Sequence, residues 1–297
     1  MKLLEHTLER RLDRNEAKEV LGEEVTWREP NLHEPGIYRD SETGEAVLMF
    51  APLPGPTTEL RRAVFGTKMG ATLRQGAGTK NISRVFGFTT RNVMTQKEAC
   101  RPTSFSYDHP EAQRTMNNTA SILGDYLKDQ LPEVFEQDME QLEAILPEWR
   151  MTEDSLWTSG VINQSSQLPY HVDGANFDTW SAMPILRRGM DGGHLHLPEY
   201  DITVDCRDGW AVWFNGHRYV HGVTPMKTRQ PDGYRYTVVF YAKRGMKDCH
   251  TYAVEMGEAR KKRTARELAM AGETADTVKQ KFGDGTPLSN GPEIPRR

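Results

Sequence analysis

Tyr170-His171-Val172-Asp173-Gly174-Ala175-Asn176 lies inside residues 157–241, a span in which the texture of the chain changes. Short apolar or alternating runs follow one another, separated by turn residues roughly every 8–12 positions. They fall at Trp157–Ile162, Leu168–Val172, Ser181–Leu186, Gly193–Leu197, Ile202–Cys206, Trp210–Phe214, Tyr219–Val223 and Tyr234–Tyr241. Strands this short and this closely spaced predict a double-sheet jelly roll, a double-stranded β-helix.

Working outward, Leu4, Leu8 and Leu12 recur every four residues and predict a helix over Leu3–Leu21, stopped by Gly22. Thr26–Glu45 is polar and turn-rich, and Ala46–Phe50 reads as a strand closed by Pro52-Leu53-Pro54-Gly55-Pro56. His109–Ile145 predicts two helices meeting near Pro132. Their apolar stripe (Ile122, Leu123, Tyr126, Leu127, then Val134, Phe135, Met139, Leu142, Ile145) is expected to pack on a sheet. A charged helix with Arg260-Lys261-Lys262-Arg263 follows Glu255, and residues 272–297 read as a polar tail. The expected fold is α+β, a jelly-roll core buttressed by N-terminal helices. It divides into a helical and basic region (1–150), a catalytic core (151–250) and a basic helix with a tail (251–297).

The 297 residues are 37% hydrophobic and 27% charged with a net charge of −4, which fits a globular domain and excludes a uniformly basic nucleic-acid coat. Three scattered cysteines (Cys100, Cys206, Cys249) form neither a disulfide framework nor a zinc motif, and reduced thiols in a cytoplasm are expected. Glu5 and His6 interrupt any signal-peptide core, and no apolar run approaches the roughly 20 residues that span a bilayer. One segment departs from the acidic average. Residues 61–97 hold eight cations (Arg61, Arg62, Lys68, Arg74, Lys80, Arg84, Arg91, Lys97) and no Asp or Glu. Such a run is either a solvated, loop-rich surface or a track for phosphates, and its lack of acids in a net acidic chain favours the phosphates.

Five of the nine histidines fall between His171 and His221. Residues two apart on a strand face the same way, so His171 and Asp173 can reach one metal ion together. A histidine from a later strand would complete a two-histidine, one-carboxylate set that leaves positions open on Fe(II) for a cosubstrate and dioxygen. His217 and His221 are four apart, so strand parity does not choose between them. Arg235, 14 residues after His221, is the cation expected to hold the far carboxylate of 2-oxoglutarate, because guanidinium meets carboxylate with two parallel hydrogen bonds. Thr237, Val239 and Tyr241 share its face of the last strand.

These segments together resemble the TET/JBP family of Fe(II)/2-oxoglutarate dioxygenases, which oxidise the 5-methyl group of 5-methylcytosine or thymine in DNA. Residues 170–176 are similar to its His-x-Asp-x-x-Asn start, and Gly192-Gly193-His194-Leu195-His196-Leu197-Pro198-Glu199 to its Gly-Gly-x-Leu-x-x-Pro-Glu segment. His221-Gly222-Val223-Thr224-Pro225 resembles the distal iron-histidine segment, and Arg235–Tyr241 the cosubstrate strand. The likeness covers Trp157–Cys249, and its compactness is closer to the bacteriophage and bacterial members. It implies His171, Asp173 and His221 as iron ligands, with His217 beside them. It implies Arg235, Thr237 and His194 around 2-oxoglutarate, with O2 as oxidant. Asn176, Tyr241 and Lys243 would meet a flipped, methylated base, 5-methylcytosine before thymine. Arg61, Arg62, Lys68, Arg74, Lys80, Arg84 and Arg91 would meet the DNA backbone. No membrane partner is expected, and the setting implied is the cytoplasm of a bacterium or a phage-infected host cell.

Rival readings share parts of this pattern. A hydroxylase of protein side chains, free bases or small molecules would have the same metal set and the same Arg235; Asn176, Tyr241 and the basic segment favour DNA. His194-Leu195-His196-Leu197-Pro198-Glu199 also resembles a cupin metal motif, with short spacing and with His171, Asp173 and Arg235 unexplained. A DNA-binding module that has lost catalysis is the third, and the complete triad speaks against it.

Overall fold

The computed structural model describes residues 2–73, 80–91, 99–274, 276, 277 and 280. The chain divides into two compact units, residues 1–89 with 102–248, and residues 90–101 with 249–297.

The larger unit is built on one long sheet. Its strands are β1 (Glu5–Leu8), β2 (Gly36–Asp40), β3 (Ala46–Pro52), β4 (Gly70–Leu73) and β5 (Lys80–Thr89), then, beyond the two-residue β6 (Arg101–Pro102), β7 (Ser159–Gln164) and β8 (Ser181–Arg188), and finally β12 (Trp210–Phe214) and β15 (Tyr234–Tyr241). The order β1-β2-β3-β12-β8-β15-β7-β5-β4 intermixes early and late strands, so the first fifty residues are part of the same sheet as the jelly roll. A second layer holds β10 (Leu195–Leu197) between β11 (Ile202–Val204) and β13 (Gly222–Val223), and a two-stranded pair joins β9 (Met190–Gly192) to β14 (Met226–Thr228).

Side-chain alternation explains the layering. On β12, Val212 faces a core shared with Leu195, Leu197, Ile202 and Val204 of the second layer. Its neighbour Trp213 points the other way, its ring centroid 5.5 Å from that of Tyr126. Tyr126 belongs to α4 (Pro110–Gln130), which with α5 (Pro132–Gln141) follows the helical pattern read from the sequence; α2 (Thr57–Phe65) and the short α3 (Ser104–Asp108) were not expected. Leu123 and Leu127 are fully buried, each contributing about 1.5–3 kcal/mol. On β15, Val238 and Phe240 are buried, and the Phe240 ring packs against Phe86 and Trp157. Arg235 and Thr237, on the opposite face, are buried too.

Three expectations need correction. Residues 3–21 form β1, paired in parallel with β2, and then only the short α1 (Arg14–Lys18). A spacing of four suits one face of a strand as well as a helix. The helix starts at Asp13, whose carboxylate takes the N–H groups of Asn15 and Glu16 while Glu16 caps Asp13 in return. Leu168–Val172 is no strand; it makes a single bridge, His171 to His221. Cys100 and Cys249 are joined in a disulfide, Cα atoms 5.9 Å apart, and only Cys206 is free. Their 149-residue separation hid the pairing. Within that smaller unit, α6 (Tyr252–Met270) carries Glu255, whose carboxylate accepts from the N–H groups of Cys100 and His250 and from Arg91.

A buried network ties β1 to the second layer. Arg10 reaches Asp40 (3.0 Å) and Glu199 (3.2 Å), and the Tyr200 hydroxyl donates to Asp40 at 2.8 Å. Among the described residues no helix is long and apolar enough to cross a membrane.

Asp138, on α5, is 3% exposed and accepts the N–H of Trp180 at 2.7 Å. Burial pushes its carboxyl up to about 7. Unfolded, it would titrate near 3.9. Between these values the folded chain holds a proton that the unfolded chain has released, so the contribution of Asp138 to stability is greatest below about pH 4 and falls as pH rises to 7. Asp138→Asn keeps an acceptor for Trp180 and removes the titration. Urea unfolding of this variant is expected to lose that slope, about 1.4 kcal/mol per pH unit at its steepest.

Candidate active site

His171 and His221 exchange both backbone hydrogen bonds, N–H to O at 2.9 and 3.0 Å. Directly opposed residues present their side chains on one face, and the two rings lie 4.3 Å apart. After Val172 the chain turns. Gly174 N–H donates to Val172 O, Asn176 N–H to Asp173 O, and Asp173 N–H to Gly216 O at 2.8 Å. The turn, where strand parity was expected, brings the Asp173 carboxylate 3.8 Å from His171 Nε2. One ligand atom each from His171, Asp173 and His221 lies within 4.8 Å of the others, and among the described residues this is the only group of three or more so arranged.

The outer contacts aim these ligands. His171 Nδ1 lies 2.8 Å from Pro169 O, and His221 Nδ1 lies 2.9 Å from Tyr219 O. A carbonyl can only accept, so both Nδ1 atoms carry the proton and both Nε2 lone pairs are available to a metal. Gly216 admits Asp173, because a Cβ there would stand 2.7 Å from Asp173 Oδ2. His217 lies outside the trio, its Nδ1 3.3 Å from Asp173 O, so geometry selects His221 as the third ligand. His171 and Asp173 are half-buried and His221 is buried.

Arg235 is 1% exposed, and its Nε has no hydrogen-bond partner among the described residues. Burial lowers its pKa. An unsatisfied buried cation is costly, and an entering carboxylate would relieve it. Gly193, at φ +67°, lets the guanidinium in, since a Cβ there would lie 2.7 Å from Arg235 Cδ. Thr237 is buried on the same face. The N–H of His194 donates to Thr224 Oγ1, and its Nδ1 accepts from Cys206 N–H at 3.2 Å. Burial brings this histidine down to about 4, so it is neutral with its proton on Nε2.

The end of β15 carries the third group. Asn176 and Lys243 form a bridge, Phe177 N–H donates to Ala242 O, and Thr158 N–H to Tyr241 O. Asn176, Tyr241 and Lys243 are each half-buried. Arg244, which no sequence signal singled out, clamps the metal loop by donating from Nη2 to Gly174 O at 2.8 Å. His194, His196 and Glu199 form no metal cluster. His196 Nδ1 faces Ile202 O, and Glu199 pairs with Arg10.

The acid-free run of sequence is not free of acids in space. Arg61 pairs with Asp208, Arg84 with Asp108, and Arg91 with Glu255. Arg62 and Lys68 are exposed. Arg74, Lys97 and the Lys80 side chain lie outside the described residues.

A family model for the TET/JBP oxygenase domain of the 2OGFeDO superfamily matches residues 86–244, more than half of the chain. The chain belongs to the TET/JBP family. As a 2-oxoglutarate–Fe(II) oxygenase it uses Fe(II), 2-oxoglutarate and O2, and the His171, Asp173 and His221 donors and the buried Arg235, its Nε without a partner among the described residues, fit that set. Thymine dioxygenase JBP1 of Trypanosoma brucei brucei is 23% identical over 187 residues, 62% of this chain; the match spans 20% of JBP1. NgTET1, solved in complex with 5mC DNA, superimposes with a TM-score of 0.54 at 14% identity, over 80% of this chain and 88% of NgTET1, and shares the fold.

Because Gly216 makes room for the Asp173 carboxylate, Gly216→Ala is expected to lower Fe(II) affinity by roughly 10–100-fold with the far-UV circular dichroism unchanged. Iron titration of the apo-protein measures it.

Proposed function

We propose that this TET/JBP oxygenase hydroxylates the 5-methyl group of a pyrimidine in DNA, taking 5-methylcytosine to 5-hydroxymethylcytosine. The observation that carries the reading is the Asn176–Lys243 bridge on the loop that holds Asp173. The bridge joins the loop that carries Asp173 to the end of β15, and supports a reading in which the Asn176 amide, the Lys243 ammonium and the Tyr241 ring serve a base edge and a base face. JBP1, named a thymine dioxygenase, supports thymine as the second substrate; the 5mC DNA bound to NgTET1 supports the first.

His171, Asp173 and His221 hold the iron, and Arg235 with Thr237 holds the far carboxylate of 2-oxoglutarate, with neutral His194 alongside. When bound, the metal, cosubstrate and dioxygen supply oxidation of a C–H bond, releasing succinate and carbon dioxide. The chain supplies position and a dry site. A methyl group inside a stacked duplex cannot reach a metal in a pocket, so the nucleotide flips out at a few kcal/mol. Asn176 then reads the base edge, Tyr241 stacks on its face, and Lys243 contacts the base. Exposed Arg62 and Lys68, with Arg61 and Arg84 once their acids exchange for phosphate, track the backbone, and Arg91, in the smaller unit, is proposed as a phosphate contact of its own. The setting we propose is a bacterial or phage-infected cytoplasm.

Succinate formation separates this activity from hydroxylation of a small molecule. A 5-methylcytosine oligonucleotide is expected to stimulate it and the free base is not; equal stimulation by the free base would refute a DNA substrate. His171→Ala combined with Asp173→Ala is expected to abolish the stimulated turnover.

A further inference from the structure

Arg187 stands directly opposite Arg235 across the β8–β15 ladder, so the two side chains leave the sheet on the same face. Arg187 is fixed there by two carbonyls. Its Nη1 donates to Cys206 O at 2.9 Å and its Nη2 to Met190 O at 2.5 Å. Cys206 is the hub of the pocket: its N–H donates to His194 Nδ1, its carbonyl holds Arg187, and its thiol lies beside Arg235.

Among the described residues neither guanidinium pairs with a carboxylate. The carboxylates nearest Arg187 are engaged elsewhere. Asp205 pairs with Arg207 at 2.7 Å and with His33 at 3.1 Å, and Asp191 pairs with Arg229 at 2.8 Å. Asp208 takes only the backbone N–H of Arg187, while its other oxygen meets Arg61. Burial lowers the pKa of both arginines, and the nearby positive charge of Arg187 lowers that of Arg235 further. Two like charges held on one face beside a neutral histidine leave a site short of negative charge. Carbonyls that grip Arg187 keep it from turning out to solvent.

We propose that Arg187 is a positioning residue for the cosubstrate: its fixed charge reinforces Arg235 on the far carboxylate of 2-oxoglutarate, so that the pocket selects a dicarboxylate over a 2-oxo acid with an uncharged tail. Arg235 makes the direct contact and Arg187 acts through the field it adds. The inference rests on the cosubstrate of the family and is independent of which substrate is hydroxylated.

The test measures binding to the Fe(II)-loaded protein under anaerobic conditions by calorimetry, with 2-oxoglutarate and with 2-oxopentanoate, which lacks the far carboxylate. In wild type the ratio of the two Kd values reports selectivity for the second charge. Arg187→Met is expected to weaken 2-oxoglutarate binding about tenfold, the size of losing one opposite charge near the carboxylate in a half-buried site. Binding of 2-oxopentanoate is expected to change less than about twofold, with kcat at saturating 2-oxoglutarate unchanged. Arg187→Lys, which keeps a charge but not the two-carbonyl grip, is expected to recover part of the ratio. A purely structural role would weaken both ligands alike. Equal weakening, or an unchanged ratio, in any variant that folds overturns the proposal; should Arg187→Met not fold, the Arg187→Lys ratio decides in the same way.

Discussion

Everything at the metal site depends on one pair of backbone hydrogen bonds, those exchanged by His171 and His221. They bring together two imidazoles fifty positions apart in sequence and set them side by side before any metal arrives. The carbonyls of Pro169 and Tyr219 then choose the tautomer of each ring. The carboxylate follows from the turn after Val172, and that turn is possible because Gly216 has no side chain to block it. A metal that meets three aligned donors does not have to order them, which is why contacts outside the ligands matter as much as the ligands themselves.

The same economy holds on β15. Its alternate residues serve two layers: Val238 and Phe240 are buried on the helix side, and Arg235 and Thr237 face the second sheet. A guanidinium buried in that position is costly to keep charged. In the proposed function the same buried charge holds the cosubstrate, so stability and function would draw on one residue in opposite directions. Cys206 joins the pocket together through its N–H, carbonyl and thiol, although it takes no part in any disulfide.

Much of this was legible in the sequence, and the exceptions have physical causes. Strand alternation in Tyr234–Tyr241 and the break at Pro132 were read correctly because each periodicity was unambiguous. Leu4, Leu8 and Leu12 misled because four residues fit a strand face as well as a helix. His217 and His221 could not be separated by parity for the same arithmetic reason; a backbone bridge separates them. The cations of residues 61–97 looked unpaired because Asp108 and Asp208 are distant in sequence. Arg187 carried no motif, since its meaning lies in a register across two strands.

The most direct measurement is mass spectrometry of nucleosides released from DNA that carries both 5-methylcytosine and thymine, after incubation with the enzyme, Fe(II), 2-oxoglutarate and O2. The expected result is 5-hydroxymethylcytosine that appears with wild type and is absent when 2-oxoglutarate is omitted. Succinate formed with no oxidised pyrimidine of either kind would contradict a DNA base hydroxylase and leave an oxygenase with a different substrate.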